Sequence, residues 1–321
     1  MNVCGIGAGD AERRSICGVS RDPRLWRAMT QSKPILIAGP TASGKSALAL
    51  RLARERGGVI INADSMQVYE ELEVLSARPS PAEVAELPHR LYGHVPMREG
   101  YSVGRFVREA ESVLAELRAT GGLPIFVGGT GLYMKALLEG LSPIPPIPPA
   151  IREHWRVEAD RLGPAKLHRK LADLDPGTAA RLAPTDPQRI VRALEVFDAT
   201  GRPLWQWQNE PGTPVLNPDA TERIVVMPDR ATLHDRSDAR FDHMMEQGAL
   251  DEAARIAALD LDPALPGMRA LGLRPLMAHL AGQMQLDAAV EEAKAETRRY
   301  IKRQATWISG NMKSWNAISA Q

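Results

Sequence analysis

Cysteine is nearly absent from this sequence: its two cysteines, Cys4 and Cys17, both lie close to the start of the 321-residue chain. The rest of the chain therefore has no disulfide framework and no cysteine zinc site, a pattern that suits a reducing cytoplasm. Long apolar runs are absent as well, since no stretch approaches the roughly 18 to 20 residues that a membrane span needs. We therefore expect a cytoplasmic protein without a membrane partner.

An excess of either charge is also lacking. The formal net charge is +1, from 40 Lys and Arg against 39 Asp and Glu. Any contact with nucleic acid must therefore come from a local cluster of basic residues. The 44% hydrophobic and 25% charged content is ordinary for a globular protein. The length allows one large α/β domain or a domain with an insert.

The first 32 residues lack the periodicity of a helix or a strand. They are rich in Gly, Ser and Arg, and they contain no apolar core of a secretory signal. Two interpretations stay open: residues 1–32 form a disordered tail, or Met29 is the true start.

Short apolar runs alternate with helical patterns in the first half of the chain. Residues 34–38, 59–61 and 123–127 predict buried parallel strands, and residues 45–56 and 102–120 predict helices. This alternation predicts an α/β fold whose parallel sheet carries helices on both faces. In such sheets, ligands bind beyond the carboxyl ends of the strands.

A stiff Pro-rich segment at residues 143–149 interrupts this pattern. Helical segments without a strand signal follow it, and strand character returns only at residues 223–227. We therefore predict an α/β core at 33–141 and an all-helical insertion domain at 142–214. Residues 215–321 are predicted to return to the core and to add C-terminal helices.

The turn after the first strand matches G-x-x-x-x-G-K-[ST], the pattern of a phosphate-binding P-loop. Its glycines let backbone N–H groups converge on phosphate oxygens, Lys45 adds positive charge, and Ser46 can hold Mg²⁺. The match lies between a predicted strand and a predicted helix, which is the context that supports it. The predicted phosphate-binding residues are Gly39, Pro40, Thr41, Ala42, Ser43, Gly44, Lys45 and Ser46.

A P-loop alone does not identify the phosphate compound. The sequence has no Asn-Lys-x-Asp segment for reading guanine, and the strand at 123–127 ends in Gly128-Gly129-Thr130 rather than in an acid. The acid is Asp64, just past the strand at 59–61. A carboxylate there suits a base acting on an acceptor substrate, although it could also cap the strand end or coordinate a water.

Three segments resemble the signature segments of the tRNA dimethylallyltransferase family: residues 39–46, 64–69 and 127–133. The similarity runs in the family's order and spacing from about residue 33 to the low 310s. Further matching segments are 138–143, 186–195, 229–240 and 302–307.

The resemblance implies a reaction: transfer of the dimethylallyl group from dimethylallyl diphosphate to N6 of the adenosine immediately 3′ of the anticodon in tRNA. The P-loop, with Mg²⁺ on Ser46, would stabilise the departing pyrophosphate. The implied catalytic residues are Lys45, Asp64 and Thr130, with Asp64 accepting the proton of the amine. Similarity also makes Arg236 a candidate pyrophosphate contact, with Arg230 and Arg240 as further candidates.

The acceptor base must leave its stack in the anticodon loop to react. Gln67 can present a donor and an acceptor to adenine. Asp186 and Pro187 predict the N-cap and first residue of a helix whose Arg189 and Arg192 would attract RNA phosphates; a solvated face is the alternative. The predicted tRNA-binding residues are Asp64, Ser65, Met66, Gln67, Thr130, Arg152, Gln188, Arg189, Ile190, Val191, Arg192, Arg269, Arg274, Arg298, Lys302 and Arg303.

Some positions depart from the family pattern. Leu273 stands where Tyr is usual, Ser309-Gly310 replaces Phe-Arg or Leu-Arg, and Ser237 replaces an apolar residue. None of these changes removes a proposed catalytic group. The zinc finger of eukaryotic relatives is missing, so the chain resembles the bacterial form, and the resemblance favours a monomer.

Three other functions stay open. A small-molecule kinase could use Asp64 to deprotonate a hydroxyl that attacks ATP, and a related prenyltransferase could act on free adenine nucleotides. The helical insert with its segment 186–192 argues against both. A nucleotide-dependent RNA-binding module without chemistry is the third, and Asp64 beside the P-loop argues against it.

Overall fold

A six-stranded parallel sheet forms the centre of the computed structural model, which describes residues 33–319. The expectations for residues 1–32 fall outside the described residues. Across the sheet the strand order is β3-β2-β4-β1-β5-β6, and each pairing is parallel. This architecture confirms the predicted α/β class. The strands are β1 (Ile35–Ala38), β2 (Gly58–Asn62), β3 (His89–Arg90), β4 (Leu123–Gly128), β5 (Glu222–Val226) and β6 (Asn316–Ile318).

Thirteen α-helices accompany this sheet in the part of the chain that the structure describes. They are α1 (Lys45–Arg56), α2 (Pro81–Glu86), α3 (Val103–Thr120), α4 (Gly131–Glu139), α5 (Pro149–Leu162), α6 (Pro164–Leu174), α7 (Pro176–Ala179), α8 (Pro187–Thr200), α9 (Leu204–Gln208), α10 (Arg230–Glu246), α11 (Ala249–Ala257), α12 (Leu273–Leu280) and α13 (Leu286–Asn311). Two 3₁₀ turns, Pro218–Ala220 and Pro266–Arg269, complete the helical elements.

Local signals set the ends of the first core helices. Helix α3 begins after Ser102, whose side chain accepts the N–H of Arg105, and it ends at Gly121, which has a φ of 72°. Left-handed φ is easy for glycine, so such a residue ends a helix at little cost. Both core helices predicted from the sequence are present, α1 with the predicted bounds and α3 one residue shorter.

Helices cover both faces of the sheet, as predicted. On one face α1 packs Leu48 and Leu52 against the sheet, in a cluster that includes Ile125 of β4. On the other face a larger cluster joins α3 and α4 to the C-terminal helices, with Phe106 and Tyr133 stacked at a centroid distance of 4.1 Å. The strand residues alternate between these clusters because successive side chains in a strand point to opposite faces.

Helices α5–α9 pack on a hydrophobic cluster of their own. Its buried members include Trp155, Leu171 and Leu194, and the indole nitrogen of Trp155 donates to Asp198 at 3.0 Å. These helices lie between residues 149 and 208, within the range predicted for the insert, and the four-part division of the chain stays a prediction. Among residues 33–319, no helix combines the length and the apolar character that crossing a membrane requires.

Candidate active site

Three turns meet at the carboxyl edge of the sheet, because β2, β4 and β1 are neighbours in that order. The P-loop follows β1, Asp64 follows β2, and Gly129 and Thr130 follow β4. This is the edge at which parallel α/β sheets bind ligands. The topology therefore brings the three signature segments together.

The P-loop has the backbone that phosphate binding requires. Ala42 and Gly44 have φ angles of 64° and 88°, and Gly44 is the N-cap residue immediately before α1. A Cβ on Gly39 would lie 2.6 Å from the carbonyl oxygen of Val226. Only glycine therefore fits at that position, where the loop passes over β5.

Lys45 lies at the first position of α1 and is partly buried. Its Nζ donates to the carbonyl oxygen of Pro40 at 3.2 Å. Burial lowers the pKa of Lys45 to about 8, an effect opposed by the charge of Asp64 and reinforced by that of Arg240. An anion bound in the loop would favour the charged ammonium and raise this pKa again.

Two serine hydroxyls of the P-loop suit a phosphate ligand. Ser43 Oγ is buried and has no hydrogen-bond partner among residues 33–319. Because buried hydroxyls are nearly always hydrogen-bonded, a bound phosphate oxygen is a suitable partner for it. Ser46 is exposed in the first turn of α1. The described residues contain no group of three or more His, Cys, Asp or Glu that could hold a metal ion. Because Mg²⁺ on a diphosphate takes few protein ligands, the single hydroxyl of Ser46 fits it.

Asp64 is held rigidly at the end of β2. Its N–H donates to Asn62 Oδ1 at 2.7 Å, and the amide of Asn62 donates to the carbonyl oxygen of Asp64 at 2.9 Å. Oδ1 of Asp64 accepts the N–H of Met66 at 3.0 Å. The second carboxylate oxygen, Oδ2, lies toward the turn after β4, 3.4 Å from where a Cβ of Gly129 would be.

Thr130 joins the turn after β4 to the turn after β2. Its Oγ1 accepts the N–H of Ser65 at 3.0 Å and donates to Ser65 Oγ at 3.3 Å. A Cβ on Gly128 would lie 2.0 Å from the carbonyl oxygen of Ala63, so the two turns touch through their backbones. The hydroxyl of Thr130 is thereby fixed beside the Asp64 turn.

Helix α10 adds positive charge to this site. Arg240 is partly buried; burial lowers its pKa, while the nearby charge of Asp64 opposes that shift. Arg236 is exposed one turn earlier on the same helix, where residues four apart share a face. The electrostatic coupling to Asp64 and Lys45 thus belongs to Arg240, which the family resemblance made a further candidate after Arg236.

Gln67 is engaged by its own loop. Its Nε2 donates to the carbonyl oxygens of Ser76 and Ala77, at 2.9 and 2.8 Å. Its Oε1 is therefore the atom left to meet an adenine, as an acceptor only. A cleft of about 90 Å³ lies beside Gln67, between Ser46 and Tyr92.

Gln304 lies within a segment that matches the family, but it is not among the site residues predicted from the sequence. It accepts the N–H of Thr41 and donates to the carbonyl oxygen of Gly129. A further contact from the same helix is Trp307, whose ring lies 2.2 Å from where a Cβ of Gly131 would be. The place of Gln304 in the matching segment 302–307 is the signal that could have pointed to it.

The predicted tRNA contacts on α8 lie at an exposed helix start. Asp186 is the N-cap and its Oδ1 accepts the N–H of Arg189 at 3.2 Å. The side chains of Arg189 and Arg192 are 74% and 41% exposed, and each is 3.4 Å from an acidic side chain, Asp186 and Glu195 respectively. Ile190 instead packs inside the insert cluster.

Other predicted contacts are spread more widely. Gln188 and Arg269 bond to each other at 3.1 Å, and Arg274 donates to two backbone carbonyl oxygens, at 3.3 and 3.4 Å. Arg298 forms an ion pair with Asp238 of α10. The remaining predicted contacts either lie exposed, as do Arg152, Lys302 and Arg303, or lie partly buried, as do Ser65, Met66 and Val191.

Two of the departures from the family pattern are buried. Leu273 is fully buried in the large hydrophobic cluster, where an apolar side chain suits its surroundings. Ser237 is buried on α10, and its hydroxyl donates to the carbonyl oxygen of His234 at 2.9 Å. Ser309 and Gly310 are exposed near the end of α13.

Comparison with known proteins gives consistent matches along the chain. A family model described as IPP transferase matches residues 67–311. A protein of Methylobacterium nodulans named tRNA dimethylallyltransferase is 57% identical over 278 residues, which cover 86% of this chain and 91% of that protein. One from a Bradyrhizobium species, with the same name, is 51% identical over 293 residues, covering 91% and 95%.

Two solved structures share the fold. The full-length tRNA isopentenylpyrophosphate transferase from Bacillus halodurans has a TM-score of 0.64 at 31% identity, and the match covers 90% of each chain. A eukaryotic dimethylallyltransferase acting on tRNA has a TM-score of 0.77 at 27% identity, with 90% of this chain and 74% of that chain covered.

Proposed function

The chain belongs to the IPP transferase family, and from that premise we propose that it prenylates tRNA. The dimethylallyl group moves from dimethylallyl diphosphate to N6 of the adenosine immediately 3′ of the anticodon, giving N6-dimethylallyladenosine and pyrophosphate. The observation that carries this proposal is the meeting of the P-loop, Asp64 and Thr130 at neighbouring strand ends.

The first role of the site is to hold the diphosphate and stabilise it as it leaves. Backbone N–H groups of the P-loop, the hydroxyl of Ser43, which lacks a partner among residues 33–319, and the ammonium of Lys45 are the groups that face it. Arg240 supplies a second cation, and Arg236 lies one turn earlier on the same helix. Fixed donors and charges of this kind lower the barrier without reorganising during the reaction.

We propose that Mg²⁺ accompanies the diphosphate, with Ser46 as its protein ligand. When bound, the ion supplies positive charge that neutralises the departing pyrophosphate. Ser46 is suited to this role by its exposure and its place in the first turn of α1.

The second role of the site is to remove a proton from the acceptor amine. The N6 lone pair forms a bond to C1 of the dimethylallyl group, the C1–O bond breaks, and its electron pair leaves with pyrophosphate. The extra proton on N6 passes to Asp64, whose Oδ1 is held by Met66 and whose Oδ2 lies toward the Gly129 turn. Thr130 keeps that turn in place through Ser65.

We further propose that the anticodon stem-loop contacts exposed cations of the insert and of α13. Arg189 and Arg192 on α8 and Lys302 and Arg303 on α13 are the side chains that support this. Phosphate contacts of this type position a nucleic acid without reading its sequence. A monomer acting on tRNA in the cytoplasm completes the proposal.

One assay tests the proposed function directly. The protein is incubated with unmodified tRNA, labelled dimethylallyl diphosphate and Mg²⁺, and the tRNA is then digested to nucleosides. We expect label in N6-dimethylallyladenosine from the position 3′ of the anticodon, and far less label after the same time in a parallel reaction with Asp64→Asn. Label on free adenine nucleotides alone, or phosphate transfer from ATP in place of prenyl transfer, would contradict the proposal.

A further inference from the structure

Gln304 is a buried residue of α13 that bonds two turns of the active site at once. Its Oε1 accepts the N–H of Thr41, in the P-loop, at 2.9 Å. Its Nε2 donates to the carbonyl oxygen of Gly129, in the turn after β4, at 3.0 Å. Within residues 33–319, no other side-chain hydrogen bond joins these two turns directly, and Gln304 is 6% exposed.

The turn after β4 is shaped to receive this side chain. A Cβ on Gly129 would lie 2.2 Å from Gln304 Nε2, a distance that no real side chain tolerates. Three residues further along α13, Trp307 approaches Gly131 equally closely. Helix α13 therefore lies directly against the backbone of this turn, and the contact leaves the amide of Gln304 little freedom.

We propose that Gln304 is a positioning residue that sets the distance between the diphosphate and the acceptor amine, an inference that rests on the proposed function. Thr41 belongs to the loop that holds the diphosphate. Gly129 immediately precedes Thr130, whose hydroxyl holds the Asp64 turn through Ser65. Gln304 is thus the direct link between the half of the site that binds the leaving group and the half that binds the nucleophile.

The amide group is required because it offers one acceptor and one donor in a fixed plane. A glutamate of the same length still accepts from Thr41, but as a carboxylate it faces the carbonyl oxygen of Gly129 without a proton to share. A methionine of similar length makes neither bond. In a reaction whose partners must approach to about 3–3.5 Å, a shift of about 1 Å costs on the order of 10² in rate.

The test compares Gln304→Glu and Gln304→Met with wild type and with Gln283→Met, a matched control at an exposed position in the turn before the same helix. Single-turnover prenyl transfer is measured beside the Kd for dimethylallyl diphosphate, the Kd for tRNA, and Tm. We expect both Gln304 variants to slow the single-turnover step on the order of 10², while each Kd stays within about threefold of wild type. The control should match wild type in all four measurements.

The glutamate variant has a second signature. When its carboxyl is protonated, it regains one donor and one acceptor, as in the amide. The ratio of its rate to the wild-type rate at the same pH should therefore rise as pH falls, whereas the ratio for Gln304→Met should stay flat. A purely structural role would not produce this difference.

Two results would overturn the inference. One is a single-turnover rate within about threefold of wild type in both variants. The other is a loss of rate that follows Tm and disappears on cooling, because that is the behaviour of a packing residue. A wild-type protein that transfers no prenyl group to tRNA contradicts the proposed function instead, so the two failures are distinguishable.

Discussion

Replacing Arg189 and Arg192 together with Gln tests the proposed tRNA surface on the insert. Both side chains are exposed, at 74% and 41%, and each lies 3.4 Å from its nearest carboxylate. Exposed ion pairs of this kind contribute about 0.2–1 kcal/mol at most. The two arginines are therefore free to exchange these partners for RNA phosphates, and their replacement should leave the fold intact.

The expected magnitude follows from counterion release. Each arginine that no longer binds a phosphate lowers the slope of log K against log salt by about 0.7 to 0.9, so the double replacement lowers it by about 1.4 to 1.8. The tRNA Kd should rise most at low salt. Dimethylallyl diphosphate affinity should stay unchanged, because the P-loop lies on the sheet and α8 packs in the separate cluster of the insert.

The assay is tRNA binding at several salt concentrations, with diphosphate binding at one concentration. Arg98→Gln with Arg118→Gln is the matched control, since it removes the same charge from exposed positions outside the insert. The control should keep the wild-type slope. An unchanged slope and affinity in the Arg189 and Arg192 variant would refute the reasoning. These arginines would then contact only solvent, and not RNA.

Three further predictions concern single residues. Asp64→Asn should bind dimethylallyl diphosphate normally but transfer the prenyl group about 10² to 10⁴ more slowly; a rate within about tenfold of wild type would remove Asp64 as the base. Because the pKa of Lys45 without a ligand is about 8, the affinity for diphosphate should fall as pH rises above that value, whereas Lys45→Met should bind weakly at every pH. A pH-independent Kd in wild type would contradict the role of the Lys45 charge. Glu252 is fully buried and accepts the N–H groups of residues 73–75 at 2.7–2.9 Å. In urea unfolding, Glu252→Gln should therefore lower the free energy of unfolding by about 1.5–3 kcal/mol relative to the exposed control Glu111→Gln. Equal urea midpoints for the two variants would show that the charge of Glu252 does not stabilise the fold.

Neighbouring residues alone were enough to predict the elements on either side of the P-loop. The apolar run of β1, the glycines of the turn and the amphipathic pattern of α1 are contiguous, so their structure follows from neighbouring residues. The same holds for α3 with its Ser102 cap. Strands β3 and β6 were not predicted, because two and three residues without an apolar run carry no periodic signal.

The sequence also identified the chemical groups of the active site, but it did not show which of them contact each other. The motifs placed Lys45, Asp64 and Thr130 at strand ends, and the parallel topology brought those ends together. The tertiary structure alone decided that Gln304 bonds to Thr41, 263 residues away, and that Arg240 couples to Asp64. It also decided that Arg298 pairs with Asp238. Spacing along a chain determines which face of a helix a side chain occupies, but only packing determines what that face meets.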